Sequence, residues 1–193
     1  MYAIQAAFAI TKDVDVLVVG NDCINVANEV SSVPHVKNVL NSNSEIYKNH
    51  LSENLAPLIV KLADRYTHII APATAFGKNL MPRVAAFLDV SQVSDIIKIE
   101  NSDTFIRPIY AGNAFATVKS LDKKKIITVR PTSFDPAPTS GGNAKVENID
   151  ASENMNLSSF IKKEESKSDR PELGTARIVV SGGRGLQSAE NFK

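Results

Sequence analysis

Val14-Asp15-Val16-Leu17-Val18-Val19, closed by Gly20, is the stretch on which the fold turns. It is apolar almost without interruption and rich in β-branched side chains, the pattern of a strand buried on both faces within a parallel sheet. Upstream, Ala3 to Ile10 reads as the end of a helix that feeds this strand. Downstream, residues 22–32 predict a short helix and Val36-Lys37-Asn38-Val39-Leu40 a second short strand. Ser52 then stands where an N-cap is expected, before the amphipathic stretch ENLAPLIVKLADRY, with Pro57 in the first turns, where a missing N–H costs least. His68 to Ala71 is a further buried strand, followed by a loop, PATAFG, and a helix from about Lys78 to Leu88. Strands alternating with helices in this way predict an α/β fold with a mostly parallel sheet and flanking helices.

Four strand candidates follow in succession: DIIKIE (95–100), TFIRPIYAG (104–112), AFATVKSL (114–121) and KIITVRP (125–131). Turn residues at Asn101-Ser102-Asp103, Gly112-Asn113 and Asp122 between them predict antiparallel hairpins added to the parallel sheet. Residues 1–131 therefore form the expected first domain. Residues 132–171 are dominated by Ser, Asn, Asp, Pro, Gly and charge, which cannot bury a core, so they are expected to be a linker or a strap on a surface. From 172 to 193 order is expected again: Ala176 to Val180 predicts a strand running into Gly182-Gly183-Arg184-Gly185, with Ser188 capping a helix. Both ends read as cut within an element, which predicts a piece of a longer protein.

Composition excludes several functions. With 22 basic against 21 acidic side chains the formal charge is +1, so no positive field is available for nucleic acid as a main partner. Lys123 to Lys125 reads as the solvated lead-in to a strand. No run approaches the roughly 18 to 20 apolar residues of a membrane-spanning helix. The first residues lack the basic segment and small-residue cleavage site of a signal peptide. Cys23 is the only cysteine, which rules out an internal disulfide and points to a small packing residue in a reducing compartment. His35, His50 and His68 are dispersed, so no metal site is expected. His68, within an apolar strand, is expected to be a hydrogen-bonded core residue. Phe76-Gly77-Lys78-Asn79 fails as a P-loop, because Asn79 stands where a hydroxyl would hold magnesium and Pro72 where a glycine is required. No nucleophile and base pair is visible.

Val179-Val180-Ser181-Gly182-Gly183-Arg184-Gly185 carries the strongest chemical signal. A strand, a glycine loop and a capped helix present bare backbone N–H groups to an anion, and Arg184 can add a bidentate contact to a phosphate. The spacing departs from G-x-G-x-x-G, and a tight structural turn accounts for the glycines equally well. A nucleotide-binding regulatory module without a redox role is therefore the alternative reading.

From Ala75-Phe76-Gly77-Lys78-Asn79-Leu80-Met81-Pro82-Arg83-Val84-Ala85-Ala86 onward the chain resembles the electron-transfer flavoprotein α subunit family. The likeness continues through SDIIKIE (94–100), DTFIRPIYAGNAFATVK (103–119), VRPTSFDPAPTSGG (129–142), KSDRPEL (167–173) and VVSGGRGLQSAENFK (179–193). The resemblance implies an N-terminal α/β domain, then the first strand and glycine loop of a doubly wound FAD-binding domain. It implies FAD as cofactor, a β subunit as partner, and electron transfer from flavin dehydrogenases, such as acyl-CoA dehydrogenases, to a membrane quinone reductase, in bacterial cytoplasm or mitochondrial matrix. By the resemblance, Arg184 contacts FAD, and Gly182, Gly183 and Gly185 form the loop that lets it approach. The family's remaining FAD residues lie downstream of Lys193, so this chain alone is expected to hold no flavin. The family's first strand lies inside the sheet, and a chain starting at Met1 is expected to leave unpaired backbone there. The AFGKN loop and the strap TSFDPAPTSGG are the expected contacts with the β subunit.

Overall fold

Each apolar run marked as a strand between residues 14 and 129 folds as one, and the register between the runs sets the layers. The computed structural model describes residues 1–164 and 178–192, and the chain divides into two compact units, 1–160 and 161–193. In the first unit the elements are α1 (Tyr2–Phe8), β1 (Val14–Gly20), α2 (Ile24–Ser31), β2 (Val36–Asn43), α3 (Ser52–Leu62), β3 (His68–Pro72), α4 (Ala75–Phe87) and β4 (Gln92–Ile96). They continue with β5 (Lys98–Ile99), β6 (Thr104–Ile109), β7 (Ala114–Lys119), β8 (Lys125–Val129) and β9 (Lys145–Asn148).

Parallel pairing joins β1 to β2 and β2 to β9, and separately joins β3 and β4 to the two sides of β8. Antiparallel ladders join β5, β6 and β7. The expected α/β fold with an added hairpin region is thus present. Among the described residues no ladder joins β1 to β3, so each keeps one unpaired edge, and α1 packs against both strands.

The four successive strand candidates sort differently from the expectation. Only the middle of the run is antiparallel; β8 lies inside the parallel sheet, because Ile126, Ile127, Thr128 and Val129 are all buried and a strand covered on both faces belongs between parallel neighbours. DIIKIE splits in two. Its start ends β4, whose register slips between Val93 and Ile96, and the slip is absorbed by Asp95, in left-handed backbone at φ 57°. Asp95 is held there by its N–H, which donates to Thr128 Oγ1 at 2.9 Å, and by its carboxylate, which pairs with Arg130.

Helix starts also move. The N-cap of α3 is Leu51, and Ser52 is the first helical residue, buried, with its hydroxyl 3.4 Å from Glu53 Oε2. Pro57 is the sixth of eleven residues, so it strips the Glu53 carbonyl of its helical partner well inside the helix. α4 begins at Ala75, earlier than expected, because Thr74 Oγ1 accepts from Gly77 N at 3.3 Å, an N-cap worth about 1 kcal/mol. AFGKN is therefore a helical turn, not a loop.

Three apolar clusters hold the unit. Tyr47, Leu55, Leu58, Met81, Val84 and Ile126 pack between α3, α4 and the sheet. Cys23, Ala27, Val33 and Val39 join α2 to its sheet. Ala6, Ile96, Phe105, Ile127 and Val129 form the third cluster. Each such fully buried side chain contributes about 1.5–3 kcal/mol. Glu53 of α3 accepts from Arg83 of α4 at 2.7 Å, and the carboxyl is held below its ordinary range first by a backbone N–H bond, then by the Arg83 charge.

Residues 132–160 lie on this unit. Phe134 packs against the Phe105 cluster and Ala137 is buried. Gly142 N donates to Ser32 O and Ala144 N to Ser31 O, both at 2.8 Å. A Cβ on Gly142 would stand 2.2 Å from Val33 O, so only glycine permits that approach. β9, not readable from sequence, adds to the edge of β2. Beyond it, Ser152 N donates to the buried Tyr47 Oη at 2.9 Å and Met155 N to Asn54 Oδ1 at 3.0 Å.

Two outcomes follow from these contacts. Tyr47→Phe should strand the Ser152 N–H and cost about 1–3 kcal/mol, with amide hydrogen exchange quickening around residues 149–155 while β8 stays protected; unchanged exchange there would refute the clasp. Glu53 has a lowered folded pKa, so its contribution is present above the unfolded carboxyl pKa and lost as pH falls through the folded one. Glu53→Gln should thus lower stability at neutral pH by up to about 1 kcal/mol, the gap closing in acid as seen by denaturant titration at successive pH values.

Candidate functional site

The glycine loop belongs to the second unit. Ile178, Val179 and Val180 are exposed and carry no ladder, so the expected strand is not formed there: apolar side chains alone do not hold a strand without a hydrogen-bonding neighbour. Ala176 and Arg177, the start of that strand, and the stretch KSDRPEL lie outside the described residues. The expected Ser188-capped helix is a single 3₁₀ turn, Ala189–Asn191, to which Ser188 gives no side-chain cap.

Within the loop, Gly183 is extended at φ −86° and ψ −175° and leads into a 3₁₀ turn, Arg184–Leu186, closed by Leu186 N donating to Gly183 O at 3.0 Å. Gln187, in left-handed backbone at φ 60°, turns the chain toward the second turn, and Asn191 Nδ2 ties back to Leu186 O at 2.6 Å. The three glycines then separate by role. A Cβ on Gly182 would fall 1.8 Å from Leu186 Cδ1 and 2.6 Å from the Phe192 ring, so a larger residue there would push the ends of these two side chains aside. Cβ atoms on Gly183 or Gly185 would meet nothing within 4 Å. No internal contact among the described residues demands glycine at these two positions.

Gly182, Gly183, Arg184, Leu186 and Phe192 line an open depression of about 440 Å³. Arg184 makes no ion pair among the described residues. A free guanidinium beside bare backbone fits the phosphate end of a dinucleotide. The isoalloxazine end would need further groups.

At the carboxyl end of β1, where an open α/β sheet commonly binds ligands, several polar groups pair with one another, while Ser42 Oγ is buried without a hydrogen-bond partner. Cys23 Sγ donates to Asn41 Oδ1 at 3.3 Å, and Asp22 N donates to Asn43 Oδ1 at 2.6 Å. The buried thiol's partners are amide and carbonyl oxygens, Asn41 Oδ1 and Ser42 O, the setting of a packing residue. Gly77 is fixed by packing, since a Cβ would lie 2.0 Å from Pro72 O; Phe76-Gly77-Lys78 is thus a helix entry seated tightly on β3. His68 is half-buried rather than a core residue: Nε2 donates to Ser102 O at 2.6 Å, and Nδ1 accepts from Thr67 Oγ1 at 2.9 Å. Among the described residues no His, Cys, Asp and Glu group could hold a metal, and no helix is long and apolar enough to cross a membrane. Lys124 is less solvated than its run suggested, donating to Ala63 O and pairing with Asp64.

Comparison with known proteins matches residues 1–154 to the electron transfer flavoprotein domain. The chain is 50% identical over 190 residues to electron transfer flavoprotein subunit alpha of Pseudomonas aeruginosa, covering 98% of this chain and 62% of that one. The corresponding subunit of Bradyrhizobium diazoefficiens is 53% identical over 190 residues, with 98% and 60% covered. The mitochondrial subunit of Dictyostelium discoideum is 50% identical over 196, with 94% and 55% covered. The chain thus spans between 55% and 62% of the length of these relatives. Identity at this level over nearly the whole chain, on the α/β scaffold with its antiparallel hairpin, places it in the electron transfer flavoprotein α-subunit family.

Proposed function

We propose that this chain serves as the α subunit of an electron carrier that binds FAD together with a β subunit, taking electrons from flavin dehydrogenases such as acyl-CoA dehydrogenases and passing them to a quinone reductase. The observation that supports it most directly is the glycine loop, where two glycines have no packing reason to be glycine and an unpaired Arg184 stands between them. FAD, when bound, supplies the reversible electron chemistry; the chain's own residues position it. Arg184 is assigned a bidentate contact to a phosphate oxygen, Gly183 and Gly185 leave their amides accessible, and Gly182 lets Leu186 and Phe192 close beneath the loop. No residue is assigned bond-making catalysis, and the role assigned to the chain is that of an electron carrier. Relatives from bacteria and mitochondria support bacterial cytoplasm or the mitochondrial matrix as its place of work.

In the assembled protein with its β subunit, Arg184→Ala should weaken FAD binding about tenfold or more, the loss of one charge-assisted hydrogen bond. Flavin fluorescence titration reads this directly. The chain of residues 1–193 alone should show no stoichiometric flavin absorbance; a bound flavin there, or an Arg184→Ala protein that binds FAD as tightly as its parent, would overturn the assignment.

A further inference from the structure

The β6–β7 hairpin carries a cation that pairs with no group among the described residues. Register pairs Phe105 with Val118, Arg107 with Ala116 and Ile109 with Ala114, so these residues share one face of the hairpin. At its base the face is part of the core: Phe105 is fully buried and Val118 packs with it. Further out, Arg107, Ile109, Ala114 and Ala116 belong to none of the three apolar clusters, yet are only half-exposed. Arg107 Nε is buried without a hydrogen-bond partner, and among the described residues Arg107 makes no ion pair. The opposite face differs, because its cation, Lys119, is already paired with Asp103 at 3.3 Å.

The tip of the hairpin adds an independent observation. Tyr110, Ala111 and Gly112 all have left-handed backbone, at φ 49°, 54° and 92°, a conformation that costs non-glycine residues energy and clusters where proteins engage ligands or partners. The turn leaves the Tyr110 side chain 80% exposed. Arginine and tyrosine are the residues most enriched among those that dominate binding between proteins.

We propose that the distal half of this face, centred on Arg107 and ending at Tyr110, is the docking surface for the β subunit, which supplies a carboxylate to the guanidinium and apolar cover to Ile109 and Tyr110. The proposal rests on the heterodimer reading above. Charge decides the occupant: a buried guanidinium edge without an acceptor calls for an anionic group held in fixed geometry. A free inorganic anion would satisfy Arg107 but leave Ile109 and Tyr110 uncovered, whereas a protein surface satisfies both.

The test is the dissociation constant of the α and β subunits, measured by titration calorimetry, beside the thermal midpoint of the α chain alone. Arg107→Leu and Tyr110→Ala should each weaken the heterodimer at least tenfold, and Phe115→Ser, on the opposite face, should change it less than twofold. Arg107→Leu should leave the midpoint of the chain alone unchanged or raise it, since the variant removes an unsatisfied group from an apolar face. Parental affinity in both Arg107→Leu and Tyr110→Ala overturns the proposal, as does a fall in midpoint with Arg107→Leu, which would make Arg107 structural. Stabilisation of the parent but not Arg107→Leu by millimolar inorganic phosphate, with subunit affinity unchanged, overturns it in favour of an anion site. A parent chain that binds no β subunit overturns the heterodimer reading instead.

Discussion

Ile126 faces Tyr47, Leu55 and Met81, while Ile127 and Val129 face Phe105, Ile96 and Ala6, so one short strand fills the middle of two apolar layers at once. β8 reaches that place only after the chain has left the sheet at β4, run out and back through β5, β6 and β7, and returned. The hairpin is therefore anchored at its base by the same burial that completes the sheet. Asp95 and Arg130 sit at this exit and return, and their pairing, with the Asp95 N–H on Thr128, holds the slipped register of β4 against β8. Loosening β8 would release α3 and α4 from one side and the hairpin from the other.

Much of this was legible because buried parallel strands write continuous apolar runs, as Val14 to Val19, His68 to Ala71 and Lys125 to Val129 do. What sequence could not give was partnership. Four strands in succession look like a meander, and nothing local in KIITV says that its neighbours are β3 and β4, far apart in the chain. β9 was illegible for a related reason: Lys145-Val146-Glu147-Asn148 is polar and joins the sheet through backbone bonds to β2, which carry no side-chain signature. Helix starts shifted too: Thr74 caps α4 and sets its start at Ala75, while α3 starts at Ser52 behind Leu51, without a side-chain cap bond. In the candidate site, the glycines were visible as a group, but their division of labour was not. Only geometry distinguishes Gly182, crowded by Leu186 and Phe192, from Gly183 and Gly185, which nothing crowds. Arg107 was passed over because one arginine in TFIRPI reads as an ordinary outward residue until the register puts it on the face of Phe105.

The strap changes how this domain is best understood. Its composition forbids a core of its own, and it was expected to need a surface; its own domain supplies one, through Tyr47, Asn54, Val33 and the edge of β2. Many of these contacts are backbone N–H groups finding fixed acceptors, each worth about 1 kcal/mol net, and they are joined by the packing of Phe134, Ala137 and Val146 on the apolar clusters, so the attachment is distributed. Among the described residues Arg107 Nε, Ser42 Oγ and Ser120 Oγ are buried without a hydrogen-bond partner, and Arg184 in the glycine loop makes no ion pair.

The two arginines differ in setting, Arg184 being exposed and Arg107 partly buried, and Arg107 poses the physical question. A guanidinium kept partly buried without an acceptor lowers the stability of the chain that carries it, and hydrophobic replacement of such groups is often neutral or stabilising. Arg107 has an apolar face around it and Ala116 opposite, a setting in which leucine would pack at no polar cost. A chain that retains arginine there gives up stability as a separate body, and recovers it only where an anion is brought to the site. On the proposed reading the recovery comes from the β subunit at Arg107, whereas Arg184, exposed to solvent, carries no burial cost and is free to take a phosphate of FAD. The chain alone is then the less satisfied state, and assembly with partner and cofactor is what its free cations favour.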